Sequence, residues 1–215
     1  METGRKTSEY IASFIPQSSG IIKEMEDYAS IYNIPIMDKE GMAALLQLLK
    51  IQHPQKILEI GTAIGYSGIR ILQENPGSEL VSIEREAERA DKAEHFISQA
   101  QLKDRFKLIR GDALEEMDLA AENGPFDSLF IDAAKGQYEK FFQFYEPMVR
   151  PGGVIYSDNV LFKGYVTGES EPESKRMKAL AKRIRSFNET IMKDANFHSY
   201  LFPAGDGLLV SKKIK

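Results

Sequence analysis

Cysteine and tryptophan are both absent from the 215 residues, and histidine occurs only three times. The missing cysteines exclude disulfides, a thiolate nucleophile and Cys-ligated zinc, and they are compatible with the reducing cytoplasm, where the chain is expected to work. His53, His95 and His198 are scattered and read as structural. No run of about 18 apolar residues occurs, so neither a membrane span nor a membrane partner is expected. The opening METGRKTSEYIASF has no continuous apolar core and does not read as a signal peptide. A net charge of −4 gives no global pull toward nucleic acid, so any such binding must be local. The dinucleotide fingerprint G-x-G-x-x-G and the Gly-Lys-Ser/Thr of a Walker loop are also missing, which argues against an NAD-dependent oxidoreductase.

What is present is enough for one well-buried α/β domain over 1–215, with 42% hydrophobic residues. Strand-like runs at 56–60, 79–83, 106–109, 127–131 and 153–157 alternate with helical patterns at 66–74, 86–100, 113–121 and 138–148. That alternation predicts a Rossmann-like, mostly parallel sheet with helices on both faces. HSYLF and GLLVSK, joined through Pro203-Ala204-Gly205-Asp206, predict a closing antiparallel hairpin. Residues 1–52 precede the 53–215 core as extra helices at 3–15, 18–32 and 38–50, with Ser18 and Ser19 as candidate caps. Their apolar faces, including Ile11, Phe14 and Ile15, suit a packing layer, a dimer contact or a lid.

The stretch KILEIGTAIGYS organises the chain: a short apolar strand, a turn bracketed by Gly61 and Gly65, and a helix from Tyr66. Such a turn brings a ligand close to bare backbone at a helix N-terminus. Glu59 stands just before the turn, and Glu84 closes the next strand where α/β folds place the acid that holds ribose hydroxyls. Together they favour an adenosine-type ligand. Further strand ends carry Asp112, Asp132, and Asp158 with Asn159, which the sheet would gather on one rim. Asp132, Asp158 and Asn159 form an all-oxygen set suited to a hard divalent cation, with Mg2+ the default. Lys135 is either a base toward an acceptor hydroxyl or a surface cation pairing with Asp132. From residue 174 a helix carries Lys175, Arg176, Lys178, Lys182, Arg183 and Arg185 on one face, either a solvated back or a phosphate-binding surface.

LEIGTAIGYS, SIE, GDAL, IDAAKGQY and SDNVLFKG, in that order, resemble the cation-dependent class I S-adenosylmethionine O-methyltransferases, the catechol and caffeoyl-coenzyme A group. The resemblance runs from about Pro35 to the terminal DGLLVSKK. It implies a seven-stranded sheet, and a cofactor site drawn from Met37, Glu59, Gly61, Ser67, Glu84, Asp112, Ala113 and Asp132. It further implies metal ligation by Asp132, Asp158 and Asn159, with Lys135 as general base beside Asp132. Within the family the chain looks most like the bacterial enzymes that methylate 5-hydroxyuridine at the tRNA wobble position. That likeness implies an anticodon-loop partner docked on Lys175, Arg176, Lys182, Arg183 and Arg185, and a homodimer. A small catechol-like phenol as acceptor, or a non-catalytic nucleoside-binding protein, are the alternatives.

Overall fold

The computed structural model describes residues 2–215. Three helices, α1 (Glu2–Ala12), α2 (Gly20–Tyr32) and α3 (Lys39–Gln52), lead into β1 (Lys56–Ile60). The alternating core follows: α4 (Tyr66–Glu74), β2 (Glu79–Glu84), α5 (Ala87–Gln99), β3 (Phe106–Arg110), α6 (Met117–Ala121), β4 (Phe126–Ile131), α7 (Tyr138–Tyr145) and β5 (Val149–Ser157). The long helix α8 (Lys175–Lys193) and the strands β6 (Phe197–Phe202) and β7 (Leu208–Lys213) complete it. The sheet order is β3-β2-β1-β4-β5-β7-β6, parallel through β5 and antiparallel at β7 and β6. The Rossmann-like sheet with its closing hairpin is therefore as the alternation predicted.

Period-2 alternation divides the core into two layers. Leu58 and Ile60 of β1 join Leu129 and Ile131 of β4 against α7 and α8, in a cluster with Phe142, Ile184 and Phe187. Ile57 and Phe130 point the other way, into a cluster with Met42, Leu45, Leu49, Ile69 and Phe96. Met25 and Ala29 of α2 belong to this second layer, so α2 and α3 pack against the sheet. The α1 face fares differently: Ile11 and Phe14 stay exposed, and Tyr10 with them.

Several boundaries shift for local reasons. Residues 113–116 are a turn rather than helix, because the Asp112 carboxylate accepts from Leu114 N at 2.9 Å and competes with helical bonding. α7 stops at Tyr145, and Pro147 sits in a short 3-10 turn at 146–148. β5 starts at Val149, with a register irregularity against β4 that accommodates Pro151 and Gly152. Ser19 occupies the N-cap of α2 without capping it, while Ser18 Oγ donates to Glu26 at 2.6 Å.

Candidate active site

The parallel ladder continues one residue past the formal strand ends and lines up the site. Asp132 N donates to Ile60 O at 2.9 Å, and Asp158 N donates to Ile131 O at 3.1 Å. Gly61, Asp132 and Asp158 therefore stand side by side on β1, β4 and β5, where the strand order reverses direction and α/β sheets open a crevice. A Cβ on Gly61 would lie 2.0 Å from the Asp132 carbonyl oxygen, and φ there is +101°, so only glycine fits. The crevice is a cavity of about 300 Å3, within the usual span for a small-molecule site. Met37, Gly61, Ser67, Glu84, Asp112, Ala113, Asp132, Lys135, Asp158 and Asn159 all line it.

Glu59 does not. Alternation along β1 turns it toward α4, where it is fully buried beneath the cavity wall and accepts hydrogen bonds from Ser67 Oγ and Ser82 Oγ. Thr62 Oγ1 and Ser82 Oγ extend the chain at 2.5 Å. Burial pushes the Glu59 carboxyl up to about 7, against the two hydroxyl bonds, which lower it. Glu59 thus supports Ser67 from below instead of lining the cavity.

The rest of this end is also well tied. Glu84 accepts from Ala63 N and from Glu86 N, each at 2.8 Å, and keeps lone pairs for diol hydroxyls. Asp112, held by Leu114 N, has Arg85 at 3.7 Å. Tyr145 OH donates to Ala113 O at 2.6 Å, which anchors the wall behind it. Ser67 sits in the first turn of α4, whose N-terminus favours a carboxylate.

The opposite end is built differently. Asp158 is fully buried and, among the described residues, neither carboxylate oxygen has a hydrogen-bond partner. Burial pushes both carboxyls above the ordinary range; repulsion from Asp132 adds to this at Asp158, while at Asp132 the Lys135 charge opposes it and Asp38 adds to it. Lys135 Nζ donates to Asn159 Oδ1 rather than pairing with Asp132. Burial lowers the Lys135 ammonium, opposed by the nearby Asp132, Asp158 and Asp206 charges. Among the described residues no cluster of three His, Cys, Asp or Glu side chains forms a metal centre. The third oxygen here is the Asn159 amide. An unpartnered buried carboxylate beside a second carboxylate and an amide carbonyl fits a hard cation, which would neutralise that repulsion.

Tyr138 and Gln137 are not among the residues the sequence singles out. Tyr138 OH donates to Asp158 O at 2.7 Å and fixes the backbone at that residue. Gln137 lines the cavity and carries a buried, unpartnered Oε1. Their place in IDAAKGQY, just beyond a strand-end acid and at the start of a helix, was the available signal. The basic residues lie apart from the cavity on exposed turns of α8, though Arg183 Nη1 comes to 3.9 Å from the place of a Cβ on Gly136, next to Lys135.

A seven-stranded sheet with this hairpin, and a crevice at the switch in strand order with an acid closing β2 on its wall, define a class I methyltransferase fold. The model of the O-methyltransferase family matches residues 16–214, and the chain belongs to that family. A catechol O-methyltransferase of Niastella koreensis is 32% identical, over 72% of this chain and 74% of its own. A caffeoyl-CoA O-methyltransferase of Populus kitakamiensis is 27% identical, over 95% and 91%. The O-methyltransferase of Bacillus cereus, crystallised with SAH (S-adenosylhomocysteine), superposes with a TM-score of 0.80 at 28% identity, covering 97% of each chain. The protein is an S-adenosylmethionine-dependent O-methyltransferase of the catechol and caffeoyl-CoA type.

Proposed function

We propose that the protein transfers the methyl group of S-adenosylmethionine to the 5-hydroxyl of the tRNA wobble uridine, giving 5-methoxyuridine, and that it requires Mg2+. The observation carrying the tRNA reading is the α8 surface. Lys175, Arg176, Lys178, Lys182 and Arg183 are exposed and, among the described residues, have no acidic side chain within 4.0 Å. Arg185 also donates to Val166 O, tying the helix to the loop before it. A polyanion lying on this face would come close to the cavity, because Arg183 Nη1 lies 3.9 Å from the place of a Cβ on Gly136, between the lining residues Lys135 and Gln137. A wobble base, already unpaired in its loop, enters a pocket at lower cost than a base extruded from a duplex.

S-adenosylmethionine supplies an activated methyl on sulfonium, and Glu84, Ser67, Asp112 and Met37 are the residues to hold it. Mg2+ held by Asp132, Asp158 and Asn159 supplies acidity and alignment to an acceptor carrying adjacent oxygens. Unmodified uridine lacks the 5-oxygen, so selectivity for the hydroxylated base follows. Lys135 Nζ takes the hydroxyl proton as the oxygen–methyl bond forms and the carbon–sulfur bond breaks. Its lowered affinity for protons suits this role. The exposed Tyr10, Ile11 and Phe14 support a homodimer. No helix among the described residues is long and apolar enough to cross a membrane; action on tRNA would place the protein in the cytoplasm.

The competing reading is the same chemistry on a small catechol, favoured by the names of the relatives. Purified protein is incubated with S-adenosylmethionine and with tRNA from cells lacking it, and the nucleosides are analysed by mass. Conversion of 5-hydroxyuridine to 5-methoxyuridine, weakened about tenfold or more in Arg183→Glu/Arg185→Glu while catechol turnover holds, supports tRNA. Catechol methylation with no tRNA product overturns it.

A further inference from the structure

Beyond Asp158 the chain enters an unusual backbone conformation. Asn159, Phe162 and Lys163 all have left-handed φ, at 56°, 48° and 55°. Asparagine takes such an angle readily, but Phe162 and Lys163, next to each other, hold it only where their surroundings over-determine it. Here the surroundings come largely from the turn between β6 and β7, at the far end of the chain. Asp206 Oδ1 accepts from Lys163 N, and its carbonyl oxygen accepts from Leu161 N at 2.8 Å. Gly207 O accepts from Val160 N at 3.1 Å. Gly207 has φ +90°, and a Cβ there would lie 2.4 Å from Leu161 Cγ and 2.9 Å from Leu161 N, so the turn presses directly on the segment. Asn188 on α8 adds an independent tie, its Nδ2 donating to Val160 O at 2.9 Å. The product of this bracing is the placement of Asn159, whose Oδ1 accepts from Lys135 Nζ.

We infer that Asp206 is a positioning residue for methyl transfer: its carboxylate and carbonyl hold the 159–163 run in the shape that presents Asn159 to Lys135 and the acceptor. The inference rests on the proposed function for what Asn159 and Lys135 do. Asp206 does not line the cavity. Its effect passes through backbone N–H groups, so an uncharged acceptor of the same shape should serve nearly as well. A role through charge makes the opposite demand, since Asp206 is also among the acids acting on Lys135.

The experiment compares Asp206→Ala and Asp206→Asn in three readouts: hydrogen exchange of the 158–166 backbone, SAH affinity by calorimetry, and kcat with tRNA bearing 5-hydroxyuridine and with catechol. In Asp206→Ala, exchange speeds about tenfold, kcat falls about 10- to 100-fold, and SAH affinity stays within about twofold. Asp206→Asn, whose amide oxygen still accepts from Lys163 N, recovers exchange and most of kcat. Should Asp206→Ala not fold, Asn188→Leu, cutting the other tie, gives the same pattern. Three results overturn the inference: unchanged exchange and kcat in Asp206→Ala, an Asp206→Asn as impaired as the alanine variant, or SAH affinity falling in step with kcat. Exchange and SAH binding need neither metal nor acceptor. Failure of the tRNA or metal reading therefore shows separately, as wild-type protein inactive on that tRNA or fully active in chelator.

Discussion

The two ends of the cavity, which the proposed function assigns to the cofactor and to the acceptor, are held in opposite ways. At the cofactor end Glu59 receives Ser67 and Ser82, Glu84 receives two backbone amides, and Asp112 receives Leu114 N. At the acceptor end Asp158 is buried with both oxygens bare, next to a second carboxylate and beside left-handed backbone. The first arrangement is complete as it stands, rigid and ready to receive a ligand whose polar groups take the remaining lone pairs. The second buries a carboxyl without hydrogen-bond partners beside another, which native folds avoid unless something satisfies it. In the proposed function, stability is spent where a cation and a nucleophile would meet, and conserved where the cofactor would dock.

The contrast breaks most sharply at Asp158. Asp158→Ala should lower kcat by about a thousandfold or more, since a metal is worth several kcal/mol to the transition state. The same variant should melt no lower than wild type without added metal, because it removes an uncompensated buried carboxylate. A marked drop in Tm would show that Asp158 is structural. Next comes Lys135→Ala, with a loss of about a hundredfold in kcat at neutral pH. Burial holds Lys135 below the ordinary lysine value, so the wild-type rate climbs with pH and levels off early, as the amine loses its proton. The variant keeps climbing, and the gap narrows at high pH. A gap independent of pH would assign Lys135 to positioning.

At the cofactor end the effects are smaller and fall on binding. Glu84→Ala should weaken SAH by about 10- to 100-fold, the worth of charged hydrogen bonds, with kcat at saturation nearly kept. Unchanged affinity by calorimetry would remove Glu84 from the cofactor site. Smallest is Glu59→Gln, read in stability. Its carboxyl titrates at about 7 in the fold against 4.5 ordinarily, so the fold favours the protonated form. That contribution is whole below 4.5 and lost as pH rises through about 7. The wild type should therefore lose on the order of 3 kcal/mol at most across this window, and Glu59→Gln should lose less. Identical pH profiles of Tm would contradict the shift.

The cofactor end was legible because its parts lie in short contiguous units: strand, glycine turn and helix over 56–74, then an acid closing the next strand. Glu59 was misplaced there, although period 2 along β1 already sets it opposite Leu58 and Ile60 and under α4. Local hydrogen bonding decided the misjudged boundaries, as at Asp112, whose side chain takes Leu114 N from the helix expected at 113. The acceptor end could be inferred only as strand-end acids on one rim. That Asp158 is left bare, that Lys135 meets Asn159, and that the Asp206 turn returns to brace Leu161 and Lys163 depend on the packing of β5, α7, α8 and the hairpin. No spacing in the chain encodes that meeting.

The most direct test is a titration of Mn2+, standing in for Mg2+, by electron paramagnetic resonance on the SAH-bound protein and on Asp158→Ala. A single saturable ion per chain in the wild type, lost in the variant, is the expected result. Equal Mn2+ uptake by both proteins, or no uptake by the wild type, would show that the bare carboxylate at the end of β5 serves something other than a cation.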